Sequence, residues 1–327
     1  MQESENSPLQ RETLHLLAEH IKISENEWKD TFLEAEIYPK KMQWWSFIEK
    51  LTLSVGIGMF LAGIIFFLAY NWSDLHKFVK LALPQSLLVL SLCILAFRKH
   101  LDFISQMVLL AIVMSIGICF TVFGQVYQTG ADAYDLFLVW TLASIPFVLL
   151  SRFPSLWLLF LVLANTTLIL WSKQVLSYRE DEWVFLLLFL VNVFAFLVWE
   201  YGKRILQWQF KHNWFARITL FAACSYITIA VGIGIFELSN KPNFALSSFV
   251  IGGIFFASIM YFWYQFRDLL SVSFALVSLM VIVTCFILQA GDASVGTFFL
   301  AGFFCVGFST YMAYLFIQTH KKWQQNP

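Results

Sequence analysis

Charged residues are scarce in this sequence. They make up 13% of 327 residues, whereas a soluble domain carries about 25%. Hydrophobic residues account for 59%, and the mean hydropathy is +0.72. A water-soluble core could not enclose this much apolar surface, so the composition indicates a polytopic membrane protein whose main partner is the lipid bilayer. The formal net charge is +0, and no basic tract indicates a nucleic-acid partner.

Reactive and metal-binding motifs are also lacking. The five cysteines all lie inside apolar runs, and no two of them form a CxxC pair. This pattern is typical of small buried side chains rather than of a disulfide framework or a zinc site. The sequence contains no HExxH, no GxSxG and no phosphate-binding loop. It therefore indicates no metal, no cofactor and no catalytic residue, and the interpretation leans away from an enzyme.

Apolar runs long enough to cross a bilayer dominate the rest of the chain. They predict an all-α transmembrane bundle of about ten spans, with residues 1–46 as an amphipathic helical segment, residues 47–318 as the bundle and residues 319–327 as a tail. The predicted spans are 51–70, 79–97, 105–126, 136–150, 154–171, 183–199, 214–236, 244–264, 269–290 and 295–317.

Ionisable side chains are missing from the middle of these spans, which disfavours proton-coupled transport. The interior polar residues are expected to form hydrogen bonds between helices. They are Gln85, Ser86, Asn165, Thr166, Thr167 and Asn192.

The distribution of lysine and arginine predicts the orientation. With ten spans both termini share one side, and this side receives 16 of the 21 basic residues. Basic residues accumulate in cytoplasmic loops. Both termini are therefore expected in the cytoplasm, and the polar loops at 71–74, 125–135 and 289–292 on the extracytoplasmic face.

The longest polar interruption among the early spans is Gly124–Asp135, which we call the island. If the island and the first loop meet, their carboxylate, amide and lysine groups would interact strongly at a partly dry surface. Such a cluster could bind a lipid headgroup, a sugar, a cation or a partner's loop. The candidate binding residues are Asn71, Trp72, Asp74, Lys80, Gln125, Tyr127, Gln128, Asp132, Tyr134 and Asp135.

A purely structural interpretation of the same residues is available. Ser73 or Asp74 would cap the second span, Asp132 or Asp135 would cap the fourth, and Gly130 would make the turn. The aromatic neighbours would then be ordinary residues of the membrane interface.

The island followed by Trp140 resembles the signature of the domain of unknown function 2157 family of bacterial predicted membrane proteins. The Asn71–Trp72 ending and Lys80 are similar to that family too, and the resemblance covers about residues 9–150. It implies a bacterial cytoplasmic (inner) membrane and no established activity. Many family members have a histidine where Gln128 stands, so a metal role of that histidine would not transfer to this chain.

Three functions remain open from the sequence. The first is a non-enzymatic membrane protein whose extracytoplasmic polar cluster binds a partner protein or an envelope component. The alternative is a transporter or flippase-like carrier with a pathway lined by Asn165, Thr166 and Asn192. The third is a membrane enzyme that acts on a lipid or glycan through Asp132 or Asp135.

Overall fold

The computed structural model describes residues 41–98, 102–151, 153–176, 182–205, 213–266, 269–292 and 294–325. Within this part of the chain the fold is all-α, as predicted, and ten helices are long and apolar enough to cross a membrane. We label them α1 to α10: Lys41–Tyr70, Lys77–Ala96, Phe103–Tyr127, Ala133–Leu150, Pro154–Gln174, Trp183–Ile205, Trp214–Phe236, Pro242–Phe266, Leu269–Ala290 and Val295–Gln325.

The described residues divide into two compact units, one with residues 41–73, 324 and 325 and the other with those between 74 and 323. The first unit contains α1, which begins at Lys41, before the apolar run starts. Its first turns carry the exposed Trp44 and Trp45, side chains that favour the membrane–water interface. The amphipathic helices predicted within residues 1–40 lie outside the described residues.

The second unit is organised around α7, which packs against α5, α6, α8 and α9. Small side chains of α7, such as Ala223 and Ala230, allow close approaches of this kind. Ala223, Ile227 and Ala230 are completely buried in it. Lipid-facing side chains elsewhere remain exposed, as expected for helices in a bilayer.

Some of the interior polar residues form hydrogen bonds to a neighbouring helix, and others form them within their own helix. Asn192 of α6 is fully buried and donates to the Asn165 Oδ1 of α5 at 3.0 Å and to the Leu188 carbonyl at 2.8 Å. The hydroxyls of Thr141 and Thr167 lie 3.2 Å apart between α4 and α5. The expected interhelical bonds are thus confirmed for Asn165, Thr167 and Asn192.

Two other predicted interior residues bond within their own helices. The Thr166 hydroxyl donates to the Val162 carbonyl at 2.8 Å, and the Ser86 hydroxyl donates to the Leu83 carbonyl at 2.8 Å. This is the usual alternative for hydroxyl side chains in helices.

Short connections between packed neighbours make consecutive helices of the second unit antiparallel. The α3–α4, α5–α6, α7–α8 and α9–α10 connections therefore lie at the same end of the unit as the start of α2. We call this end the island end. Its extracytoplasmic placement stays a prediction from the charge bias.

The opposite end has an ordered helix start at α3. The Asp102 carboxylate accepts from the Ser105 hydroxyl at 2.7 Å and from the Ser105 backbone N–H at 2.9 Å. These hydrogen bonds, together with Arg98 at 3.3 Å, hold the pKa of Asp102 below its ordinary value. The cap fixes where α3 begins and hence the register with which it reaches the island.

Candidate functional site

The first four residues of the island form the last turn of α3, and a backbone turn in the left-handed conformation follows. Gln128 has φ 45° and ψ 51°, and its N–H donates to the Gly124 carbonyl. The Thr129 N–H donates to the same carbonyl at 3.3 Å. Gly130 follows with φ 66°, a conformation that costs glycine little. The turn is therefore closed by the backbone and does not use the side chains that it carries.

The island ends in a capping box at the start of α4. The Asp132 backbone N–H donates to the Asp135 carboxylate at 3.1 Å. The Asp132 side chain makes the reciprocal contact of the capping box with the backbone N–H of Asp135. Carboxylates at a helix N-terminus satisfy free N–H groups and favour the positive end of the helix dipole. The structural interpretation of Asp132 and Asp135 as caps is confirmed.

A third contact joins the start of α4 to the end of α5. The Tyr134 N–H donates to Gln174 Oε1 at 2.9 Å. A free N–H of the first helical turn is thus satisfied by a side chain 40 residues further along the chain. Gln174 was not among the predicted site residues, although it is an amide at the end of a span that reaches the island end.

The side chains that the island exposes are mainly amides and a phenol. Gln125, Gln128 and Thr129 are exposed, and Tyr127 is 57% exposed. The Tyr127 ring lies 4.7 Å from the ring of Phe123, with 44° between the ring planes. These groups suit hydrogen bonding and aromatic stacking with a ligand or partner.

The helices on either side of the island are held together by Trp140. Its indole N–H donates to the Val113 carbonyl of α3 at 2.7 Å. The indole lies so close to α3 that a Cβ added at Gly117 would be 2.3 Å from Trp140 Cε2. Glycine at 117 therefore permits the contact that sets the spacing of α3 and α4.

Among the candidate residues of the first loop, Asn71 makes a local contact. The Asn71 amide donates to the Phe67 carbonyl at 2.9 Å, one helical turn back within the first unit. The expected cap of the second span, Ser73 or Asp74, was wrong, because α2 begins only at Lys77 and the N-cap is His76. His76 Nδ1 accepts from the Phe78 N–H at 3.5 Å.

Two hydrogen bonds involve the candidate residues of the island. Asp132 joins Asp135, and Tyr134 joins Gln174. Gln125, Tyr127 and Gln128 lie on the exposed surface beside them. Asn71 and Trp72 belong to the first unit, whereas Asp74 and Lys80 belong to the second.

An ion pair that the sequence analysis missed also lies at the island end. Lys241 Nζ is 2.6 Å from Glu182 Oε2. Glu182 precedes α6 and Lys241 precedes α8, so the pair joins two connections that are 59 residues apart in sequence. Among the described residues, no group of three His, Cys, Asp or Glu side chains is arranged to hold a metal ion.

Ten long apolar helices, interhelical polar bonds and polar caps at the helix ends define a multi-pass α-helical membrane protein. Comparison with known families then gives its relationship: residues 39–157 match the family described as "Predicted membrane protein (DUF2157)". The match confirms the resemblance from residue 39 onwards and contains Asn71, the island and Trp140. No curated protein and no solved structure matches the chain.

Proposed function

We propose that the protein is a non-enzymatic component of a bacterial cytoplasmic (inner) membrane. In this proposal the island faces the extracytoplasmic side and binds a partner protein or another envelope component. The orientation is supported by the bias of 16 of 21 basic residues towards the opposite end and the termini, because such residues are retained in the cytoplasm.

The observation that carries the proposal is the conformation of Gln128. Its φ of 45° lies in the left-handed region, which costs a residue with a Cβ about 1 kcal/mol. Glycine or asparagine is the usual residue at such a helix end. The glutamine side chain is exposed, so packing does not account for its presence. Strain of this kind is typical of functional positions, and an amide that projects from a rigid turn can serve recognition.

The other two functions receive less support from the site. Asp132 and Asp135 are occupied in capping α4, so neither is free to act as a general acid or base without uncapping the helix. Asn192 uses both amide hydrogens within the bundle, and Asn165 accepts one of them. Polar groups that satisfy each other do not offer a substrate the contacts that a transport pathway needs.

The test separates binding from stability. A photo-crosslinking amino acid placed at exposed Thr129 should capture a partner in intact cells. Gln128→Gly should then reduce the yield of the crosslinked product at least threefold, while the protein becomes more stable by up to about 1 kcal/mol because the left-handed strain is removed. Thermal stability in detergent and crosslink yield are measured on the same preparations.

Asp292 supplies the matched control because it too has a positive φ, of 48°, at another turn of the island end. Asp292→Gly should relieve comparable strain and leave the Thr129 crosslink unchanged. If Gln128→Gly retains the full yield, or if both glycine variants lower it equally, the island amide does not contact the partner and the proposal is wrong.

A further inference from the structure

The Glu182–Lys241 ion pair joins α6 to α8 beside the end of α7. The two side chains meet at 2.6 Å. Glu182 is only 8% exposed, whereas Lys241 is 33% exposed. Both helices pack on α7, and their connections lie at the island end. The pair therefore joins the α5–α6 connection to the start of α8 across the end of α7.

The buried carboxylate of the pair depends on its cationic partner. A carboxylate that is almost fully buried is unfavourable without a cationic partner. Lys241 directly precedes the N-terminus of α8, where the helix dipole repels a cation. The carboxylate of Glu182 offsets that repulsion. Separation of the two groups would thus leave the Glu182 carboxylate in a poorly hydrated place without this cationic partner.

An apolar layer lies directly beneath the pair. Leu186 and Phe189 of α6, Ile235 of α7 and Phe244 of α8 belong to one buried cluster. The ring of Trp183 meets that of Phe244 edge to face at 5.4 Å, next to the two charged residues in sequence. The ion pair therefore closes this layer against water at the island end.

We propose that the Glu182–Lys241 pair is a latch that holds the island ends of α6 and α8 together. When the latch opens, the two helices separate at that end and water enters the apolar layer. The device is independent of what the island binds, and it couples the α5–α6 connection to the α7–α8 connection by charge.

Hydrogen exchange measured by mass spectrometry on the intact protein in lipid nanodiscs tests the latch. Exchange of amides in residues 183–190 and 242–249 reports the opening of α6 and α8. Glu182→Gln removes the charge at almost unchanged size and should raise exchange in both segments roughly tenfold. Lys241→Met should raise exchange in both segments to a similar extent. The double variant Glu182→Lys with Lys241→Glu, in which the two charges swap positions, should recover most of the protection.

Asp292→Asn is the control, because it removes an exposed carboxylate from the same end without touching the pair. It should leave both segments unchanged. The latch is refuted if Glu182→Gln accelerates only 183–190, or neither segment. It is also refuted if the charge-exchanged protein is no better protected than the single variants. Should Glu182→Gln fail to fold, recovery of folding by the charge-exchanged protein supports the latch, and continued failure refutes it.

Discussion

The contact between Gly117 and Trp140 makes a sharp prediction about the hairpin that flanks the island. Replacement of Gly117 by alanine puts a methyl group where the indole of Trp140 now lies, with 2.3 Å between the new Cβ and Cε2. The ring is held in place by its N–H bond to the Val113 carbonyl at 2.7 Å. The ring must therefore move away from α3, and the bond must lengthen or break.

The size of the effect follows from opposing contributions. Overpacking in a close contact costs about 1–3 kcal/mol, and the loss of a hydrogen bond between membrane helices costs about 0.6 kcal/mol more. Alanine returns about 1 kcal/mol through its better helix propensity. We expect a net destabilisation of about 1–2 kcal/mol, which corresponds to a fall in Tm of about 3 °C for a chain of this size.

The change in Tm is measured on a fluorescent fusion of the protein in detergent. Samples are heated to a series of temperatures, and size-exclusion chromatography gives the fraction that remains folded. Gly253 in α8 is the matched control because nothing lies within 4 Å of a Cβ added there. Gly253→Ala should be neutral or should raise Tm. In a Trp140→Ala background the ring is absent, so the effect of Gly117→Ala on Tm should change sign and the substitution should become stabilising.

The reasoning would be refuted if Gly117→Ala and Gly253→Ala had the same effect on Tm. It would also fail if Gly117→Ala remained equally harmful after removal of the Trp140 ring. Either result would mean that the indole does not set the spacing of α3 and α4.

Two further predictions concern the bundle interior and the orientation. Asn192→Leu should lower stability by about 1 kcal/mol in the same thermal assay, because it leaves the Asn165 amide without its partner; Thr166→Val, which removes only a bond within its own helix, should have a smaller effect. Ala131→Cys, in a background without the five native cysteines, should react with an impermeant maleimide on intact cells, and reaction only after lysis would reverse the predicted topology.

The spans themselves were predictable from the sequence because a bilayer demands long apolar segments. The predicted limits agree with the helices where a polar residue or proline marks the boundary, as at Pro154 and at Asn213 before Trp214. They differ where the helix continues beyond the apolar run. The helix α1 begins at Lys41 and α10 continues to Gln325, because helical geometry persists into the interface.

The site was predictable only in its local part. The caps at Asp132 and Asp135 follow from residues three positions apart, a spacing that sequence displays directly. The contacts made by Gln174, Glu182 and Lys241, in contrast, depend on how helices that are distant in sequence are rotated and paired. In a membrane segment lipid-facing and core-facing positions are both apolar, so hydropathy does not reveal the rotation of a helix.

The central place of α7 has a consequence for how the protein is made. A ribosome delivers the helices to the membrane in order, from the N-terminus onwards. The faces of α5 and α6 that pack on α7 must therefore remain in lipid until Trp214–Phe236 has been synthesised and inserted. Until then the buried Leu186 and Phe189, which pack in one cluster with Ala230 and Ile235 of α7, lack that helix. A nascent chain that ends before α7 is thus an unfinished bundle, and a chaperone or insertase would find its exposed surface on α5 and α6.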